Sequence, residues 1–165
     1  MRRIHVRPLE PGDDDFLREM FVETFFWRDG PQHSLEDVLA IPEAGKYILG
    51  WGRPGDAGVV ALSDAGEKLG AAWYRLFSTA DHGYGFVSDE IPELGIAVMP
   101  SYRGRRVGRR LMEDLITLAQ GQGRPGLSLS VEDGNSRAAR LYESLGFQRV
   151  ERIGSAWTMV LQLKA

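Results

Sequence analysis

Between an apolar run, Leu94 to Met99, and an amphipathic stretch that begins at Val107 lies Arg103-Gly104-Arg105-Arg106-Val107-Gly108-Arg109, dense in glycine and arginine. A strand that passes through a glycine-bearing turn into a helix N-terminus points unpaired backbone N–H groups, and the positive end of the helix dipole, at one spot. That arrangement suits phosphate oxygens, so the first expectation is a diphosphate-bearing cofactor. The glycines match neither common nucleotide fingerprint, since there is no Gly-Lys-Ser/Thr and no Gly-x-Gly-x-x-Gly. Taken alone, the segment also reads as an ordinary connection with a solvated arginine face.

A second segment narrows the choice. In Asn135 to Phe147, the residues Asn135, Ala138, Ala139 and Tyr142 stand at i, i+3, i+4 and i+7 and share one helix face. Two small residues between an amide and a phenol make a shallow strip against which an extended ligand can lie. The plainer reading, Asn135 as an N-cap and Tyr142 as a core-edge aromatic, stays open at this point.

The elements that must position these residues follow from periodicity and caps. Ile4, Val6 and Pro8 predict a first strand, and Pro11 to Asp15 supply caps for a helix from about Phe16 to Trp27. Ser34 caps a second helical piece through Ile41, and Pro42 opens a further one to about Trp51. Val59 to Leu62 and Leu69 to Phe77 read as an antiparallel pair, and Leu94 to Val98 as a fourth strand in which Gly95 marks a bulge or a close backbone approach. The spacing of Val107, Leu111, Leu115 and Leu118 predicts a helix ended by Gly121 and Gly123, and Leu127, Leu129 and Val131 a fifth strand. Residues 94 to 131 thus form one βαβ unit with a right-handed crossover. A fourth helix stops at Gly146 with Phe147 packing back on its last turn, and Phe147 to Ile153 and Ala156 to Leu163 finish as two strands. The whole is expected to be α/β, one domain over residues 1–165.

Composition excludes several function classes. The chain has 165 residues, no cysteine and three histidines, His5, His33 and His82, without ligand spacing, so thiol chemistry is excluded and a metal site is not expected. The net charge of −3 argues against general affinity for nucleic acid. No apolar run spans a bilayer, and the basic N-terminus lacks a following apolar stretch, so the chain reads as cytoplasmic with no membrane partner.

The run from Pro92 to Phe147 closely resembles the GNAT superfamily of N-acetyltransferases. The pattern Arg/Gln-x-x-Gly-x-Gly/Ala is met as Arg103-x-x-Arg106-x-Gly108, with Arg106 in place of a glycine, and Asn-x-x-Ala-x-x-Leu-Tyr-x-x-x-Gly-Phe is met in full from Asn135 to Phe147. The resemblance implies a mixed, mostly antiparallel sheet of six to seven strands with a central parallel βαβ unit and helices on both faces. It implies acetyl-CoA as cosubstrate, with pantetheine along Ile96, Ala97 and Val98, near Asn135 and Ala138. Pyrophosphate is expected on the backbone of Gly104, Arg105, Arg106, Val107, Gly108 and Arg109, with charge added by Arg103 and Arg109. Tyr142 is placed near the thioester sulfur as general acid, and Glu93 is the first choice of general base, directly or through water, ahead of Glu90 and Asp89.

The chemistry is consistent with those roles. A lysine-type amine has a pKa of about 10.4, so a base must take its proton before it attacks a thioester, a backbone N–H near Gly95 to Val98 suits the developing oxyanion, and a phenol suits the departing thiolate. Phe26, Trp27, Trp73 and Glu90 are expected on the acceptor side, where aromatic faces and carboxylates suit a cationic primary amine, a small molecule ahead of a protein. Two alternatives compete: a non-catalytic acyl-CoA-binding or sensor domain, and a nucleic-acid binder built on Arg103 to Arg110. Pairing into a homodimer is left open.

Overall fold

Residues 3–25 and 33–163 are described in the computed structural model of the chain. Seven strands form one sheet: β1 His5–Pro8, β2 Ala57–Leu62, β3 Lys68–Arg75, β4 Glu93–Val98, β5 Gly126–Glu132, β6 Gln148–Ile153 and β7 Ala156–Gln162. Their order is β1-β2-β3-β4-β5-β7-β6. Antiparallel pairs join β1 to β2, β2 to β3, β5 to β7 and β7 to β6, whereas β4 and β5 pair in parallel at Glu93 and Ser128. The expected mixed sheet with its βαβ unit is therefore what forms. The crossover helix is α3, Val107–Gly121, and the others are α1 Asp14–Phe25, α2 Leu35–Leu39 and α4 Ser136–Ser144. Among the described residues no helix is long and apolar enough to cross a membrane.

The chain packs as two compact units, Met1–Tyr74 with Gly95–Leu115, and Arg75–Leu94 with Ile116–Ala165. In the first, α1 buries Leu17, Met20 and Phe21, one stripe of helical spacing. Its start is tied to β1 by Asp13, only 2% exposed. That carboxylate accepts from the Arg7 guanidinium at 2.7 and 3.1 Å and from the Glu10 N–H at 2.8 Å, and it pairs with Lys68 Nζ at 2.7 Å. The Arg7 bonds, reinforced by Lys68 and the Glu10 amide, outweigh burial and hold its carboxyl far below the usual carboxylate range.

Two helix expectations are corrected. The Ser34 cap is present, with Asp37 returning the bond in a capping box, but the helix runs only from Leu35 to Leu39. No α-helix opens at Pro42. Glu43 turns left-handed at φ 73° and a short 3-10 turn follows over Ala44–Tyr47, because the glycines at 45, 50 and 52 weaken helical propensity and Gly50 and Gly52 both take positive φ. Gly95 proves to be a close approach, since a Cβ there would lie 2.9 Å from the Trp73 indole.

In the second unit, α4 ends in a Schellman motif: Gly146 at φ 102°, its N–H on the Glu143 carbonyl at 3.0 Å, and the Phe147 N–H on the Tyr142 carbonyl at 3.0 Å. The loop from 76 to 92 lies against β5. A Cβ at Gly85 would meet the Leu129 carbonyl carbon at 2.6 Å, and one at Gly126 would meet Ile91 Cδ1 at 3.4 Å.

Candidate active site

The expected site residues fall into two groups, one in each unit. In the first unit, β4 carries Ile96, Ala97 and Val98 and leads through a 3-10 turn, Pro100–Tyr102, into the loop before α3. Gly104 sits at φ 79° and Arg106 at φ 65°. Arginine thus takes a left-handed conformation at the position where the resembled pattern has glycine, at a cost of about 1 kcal/mol. The first backbone bond into α3 is Arg110 N–H to the Arg106 carbonyl at 3.2 Å. Ahead of it, the N–H groups of Gly104, Arg105, Arg106, Val107 and Gly108 make no hydrogen bond among the described residues. These are unpaired donors at the positive end of a 15-residue helix.

The loop's arginines are held by neighbours. Arg103 donates to Glu23 Oε2 of α1 at 3.0 Å, and the Arg105 guanidinium lies 5.6 Å from the Tyr102 ring centroid. Tyr102 in turn donates to Glu67 at 3.1 Å. The Glu23 partner, 80 residues away in sequence, has no signature in the loop itself.

Trp73, expected on the acceptor side, is a core residue here, 2% exposed and packed on Gly95. Its Nε1 is buried without a hydrogen-bond partner among the described residues. Phe26 and Trp27 lie outside the described residues.

In the second unit, Asn135 occupies the N-cap position of α4, yet its side chain makes no cap hydrogen bond. The plain capping role considered for it does not apply. Asn135, Ala138 and Ala139 are half-buried, and Tyr142 is 8% exposed, so the face with an amide, two small residues and a phenol is present as expected. The Tyr142 ring packs 5.9 Å from that of Phe147. Burial pushes its phenol up to about 12.

The carboxylates differ sharply. Glu93 is 3% exposed at the start of β4, in register with Ser128, whose N–H donates to the Pro92 carbonyl at 3.0 Å. Asp89 braces its loop, accepting from the Thr79 N–H and hydroxyl at 3.0 Å each. Glu90 is exposed, and so is His82, stacked on Phe86 at 4.5 Å. Sequence reasoning missed Ser128 and Thr158, whose hydroxyls are buried without a hydrogen-bond partner among the described residues. The alternation of Leu127, Ser128, Leu129 and Ser130 reads as a strand with one solvated face.

The acetyltransferase (GNAT) family profile matches residues 14–147. Mycothiol acetyltransferase of Stackebrandtia nassauensis is 33% identical over 146 residues, 88% of this chain and 45% of that protein. The ribosomal protein bS18-alanine N-acetyltransferase of Escherichia coli K12 is 44% identical over 61 residues, 37% of this chain and 41% of that protein. The chain spans less than half the length of the curated relatives it matches. A Salmonella typhimurium protein assigned as an acetyltransferase, solved with its cofactor acetyl-CoA, superposes with a TM-score of 0.70 at 22% identity, covering 99% of this chain and 95% of that one. With the family profile running from the start of α1 to the close of α4, the chain belongs to the acetyltransferase (GNAT) family.

Proposed function

We propose that this chain is an acetyl-CoA-dependent N-acetyltransferase that acylates a primary amine by direct attack in a ternary complex. The observation that carries this reading is the run of unpaired N–H groups from Gly104 to Gly108 at the head of α3, a donor set that fits a pyrophosphate whatever the side chains. Arg105, Arg106 and Arg109 add positive charge to that segment. Ile96, Ala97 and Val98 of β4 offer an extended backbone to the pantetheine arm, and Asn135 and Ala138 keep the contact role that their place in the family pattern implies. When bound, acetyl-CoA supplies a thioester carbonyl open to attack.

The remaining work falls to side chains of this protein. Glu93 takes one proton from the ammonium form of the acceptor, leaving the neutral amine. As the C–N bond forms and the C–S bond breaks, Tyr142 gives its hydroxyl proton to the sulfur and regains one from the nitrogen. One proton per turnover then leaves from Glu93 to solvent. A phenol pushed up to about 12 keeps its proton at neutral pH, as a donor must. Glu90, exposed beside this strand, suits a cationic acceptor, and a small-molecule amine is favoured over a protein one.

Calorimetric titration with acetyl-CoA, together with CoA thiol release over spermine, glucosamine and a peptide with an N-terminal alanine, tests the proposal. Binding with thiol release on at least one amine is expected. Tight binding with no release on any amine replaces the enzyme by a non-catalytic acyl-CoA sensor.

A further inference from the structure

Among the described residues, Glu93, Ser128 and Thr158 belong to the buried polar or charged set that also holds Asp13 and Arg75, and they share one face of three neighbouring strands. Glu93 of β4 is in register with Ser128 of β5. Ser130, two residues along β5 and on the same face, is in register with Thr158 of β7. Ser128 is 0% and Thr158 1% exposed, and neither hydroxyl has a hydrogen-bond partner among the described residues. Ile91 covers this face at Gly126, and Gly85 presses its loop onto the β5 backbone.

Buried hydroxyls without partners destabilise a fold, and departures of this kind concentrate at functional sites. Here one of them stands beside a buried carboxylate, one strand spacing away.

We propose that Ser128 is the positioning residue of the general base: its hydroxyl and the Glu93 carboxylate share a bound water that orients the carboxylate toward the acceptor amine, and Thr158 extends the polar row behind it. The proposal rests on Glu93 being the base. A water shared by a hydroxyl and a carboxylate in a dry, covered site has the two or more polar partners it needs. The proton that Glu93 accepts stays within this hydrogen-bonded group until it is released to solvent.

A double-mutant cycle with a crystal structure tests it. With the best acceptor among spermine, glucosamine and an N-terminal-alanine peptide, Ser128→Ala is expected to lower kcat about tenfold. The KM for acetyl-CoA stays unchanged, and Tm falls only slightly, since the variant loses one bond to the shared water and no apolar contact. In the Glu93→Gln background, Ser128→Ala is expected to cost nothing further. Should Ser128→Ala fail to fold, Ser128→Cys, of similar volume and weaker donor strength, carries the same comparison. A high-resolution crystal structure of the wild type, readable without any acceptor, should place a water within hydrogen-bond distance of Ser128 Oγ and a Glu93 carboxylate oxygen. Wild-type kcat in Ser128→Ala, losses that multiply in the double variant, or absence of that water overturns the inference and leaves Glu93 as base. Full kcat in Glu93→Gln overturns the base reading and this inference with it.

Discussion

Phe147 closes helix α4 onto Tyr142: its N–H donates to the Tyr142 carbonyl at 3.0 Å, and the two rings lie 5.9 Å apart. The phenol is therefore placed by a helix-ending motif as well as by packing. Gly146 makes that motif possible. A Cβ there would combine a φ of 102° with a 3.2 Å approach to Leu161 Cδ1, so Gly146→Ala is expected to destabilise the fold by about 1–2 kcal/mol, read as a lower Tm.

Tyr142→Phe separates chemistry from packing. The hydroxyl makes no hydrogen bond among the described residues, so its removal should change stability by less than about 0.5 kcal/mol while lowering kcat about 100-fold. CoA thiol release and a thermal melt on the same preparation check both halves.

The same residue gives a prediction at high pH. Burial pushes the Tyr142 phenol up to about 12, above the ordinary value near 10, so the folded state holds this proton more tightly than the unfolded one. Its contribution to stability is fully present below about pH 10 and is lost as pH rises toward 12. Absorbance titration of tyrosinate should show a late-ionising component in the wild type that is diminished in Tyr142→Phe.

Asp13 acts at the other end of the scale. Its carboxyl is held far below the usual range by Arg7, with Lys68 and the Glu10 amide behind it, so the stability it confers is present above about pH 4 and is lost as pH falls through the lowered folded value. Asp13→Asn should destabilise by about 1–3 kcal/mol at neutral pH and flatten the acid limb of a Tm-against-pH curve. The loss is modest because Arg7 and Lys68 are partly exposed, at 33% and 31%.

Arg106 tests whether backbone or side chain forms the anion cradle. Arg106→Gly removes the strain of a φ of 65° and leaves every loop N–H in place. Acetyl-CoA affinity should then stay within about threefold and stability within about 1 kcal/mol, strain relief offsetting the greater freedom of the unfolded chain. Arg106→Val, β-branched at a left-handed position, should destabilise by more than about 1 kcal/mol and weaken binding, measurable by calorimetry.

The parts of the fold legible in the sequence are those fixed by near neighbours. The strand–loop–helix at 94–121, the Ser34 cap and the Gly146–Phe147 helix end depend on spacings of a few residues, and each is present. The segment 42–51 departs because Pro42 reads as a helix start, while Glu43 adopts a left-handed turn that only the folded surroundings select. Trp73, expected on the acceptor side, is buried through a tertiary contact, its packing on Gly95 in the next strand. Ser128 is hidden from sequence for the same reason: alternation marks its face as solvated, and a loop some 40 residues upstream covers it. The Arg103–Glu23 pair is likewise non-local.

The parallel register of Glu93 with Ser128 also bears on how the chain reaches its native state. The hairpins β2–β3 and β6–β7 close over short connections and need little loop entropy, whereas β4 and β5 meet only after the intervening α3 is in place. Alignment of the carboxylate with the serine therefore carries the larger loop-closure cost, and it is expected to form after both hairpins.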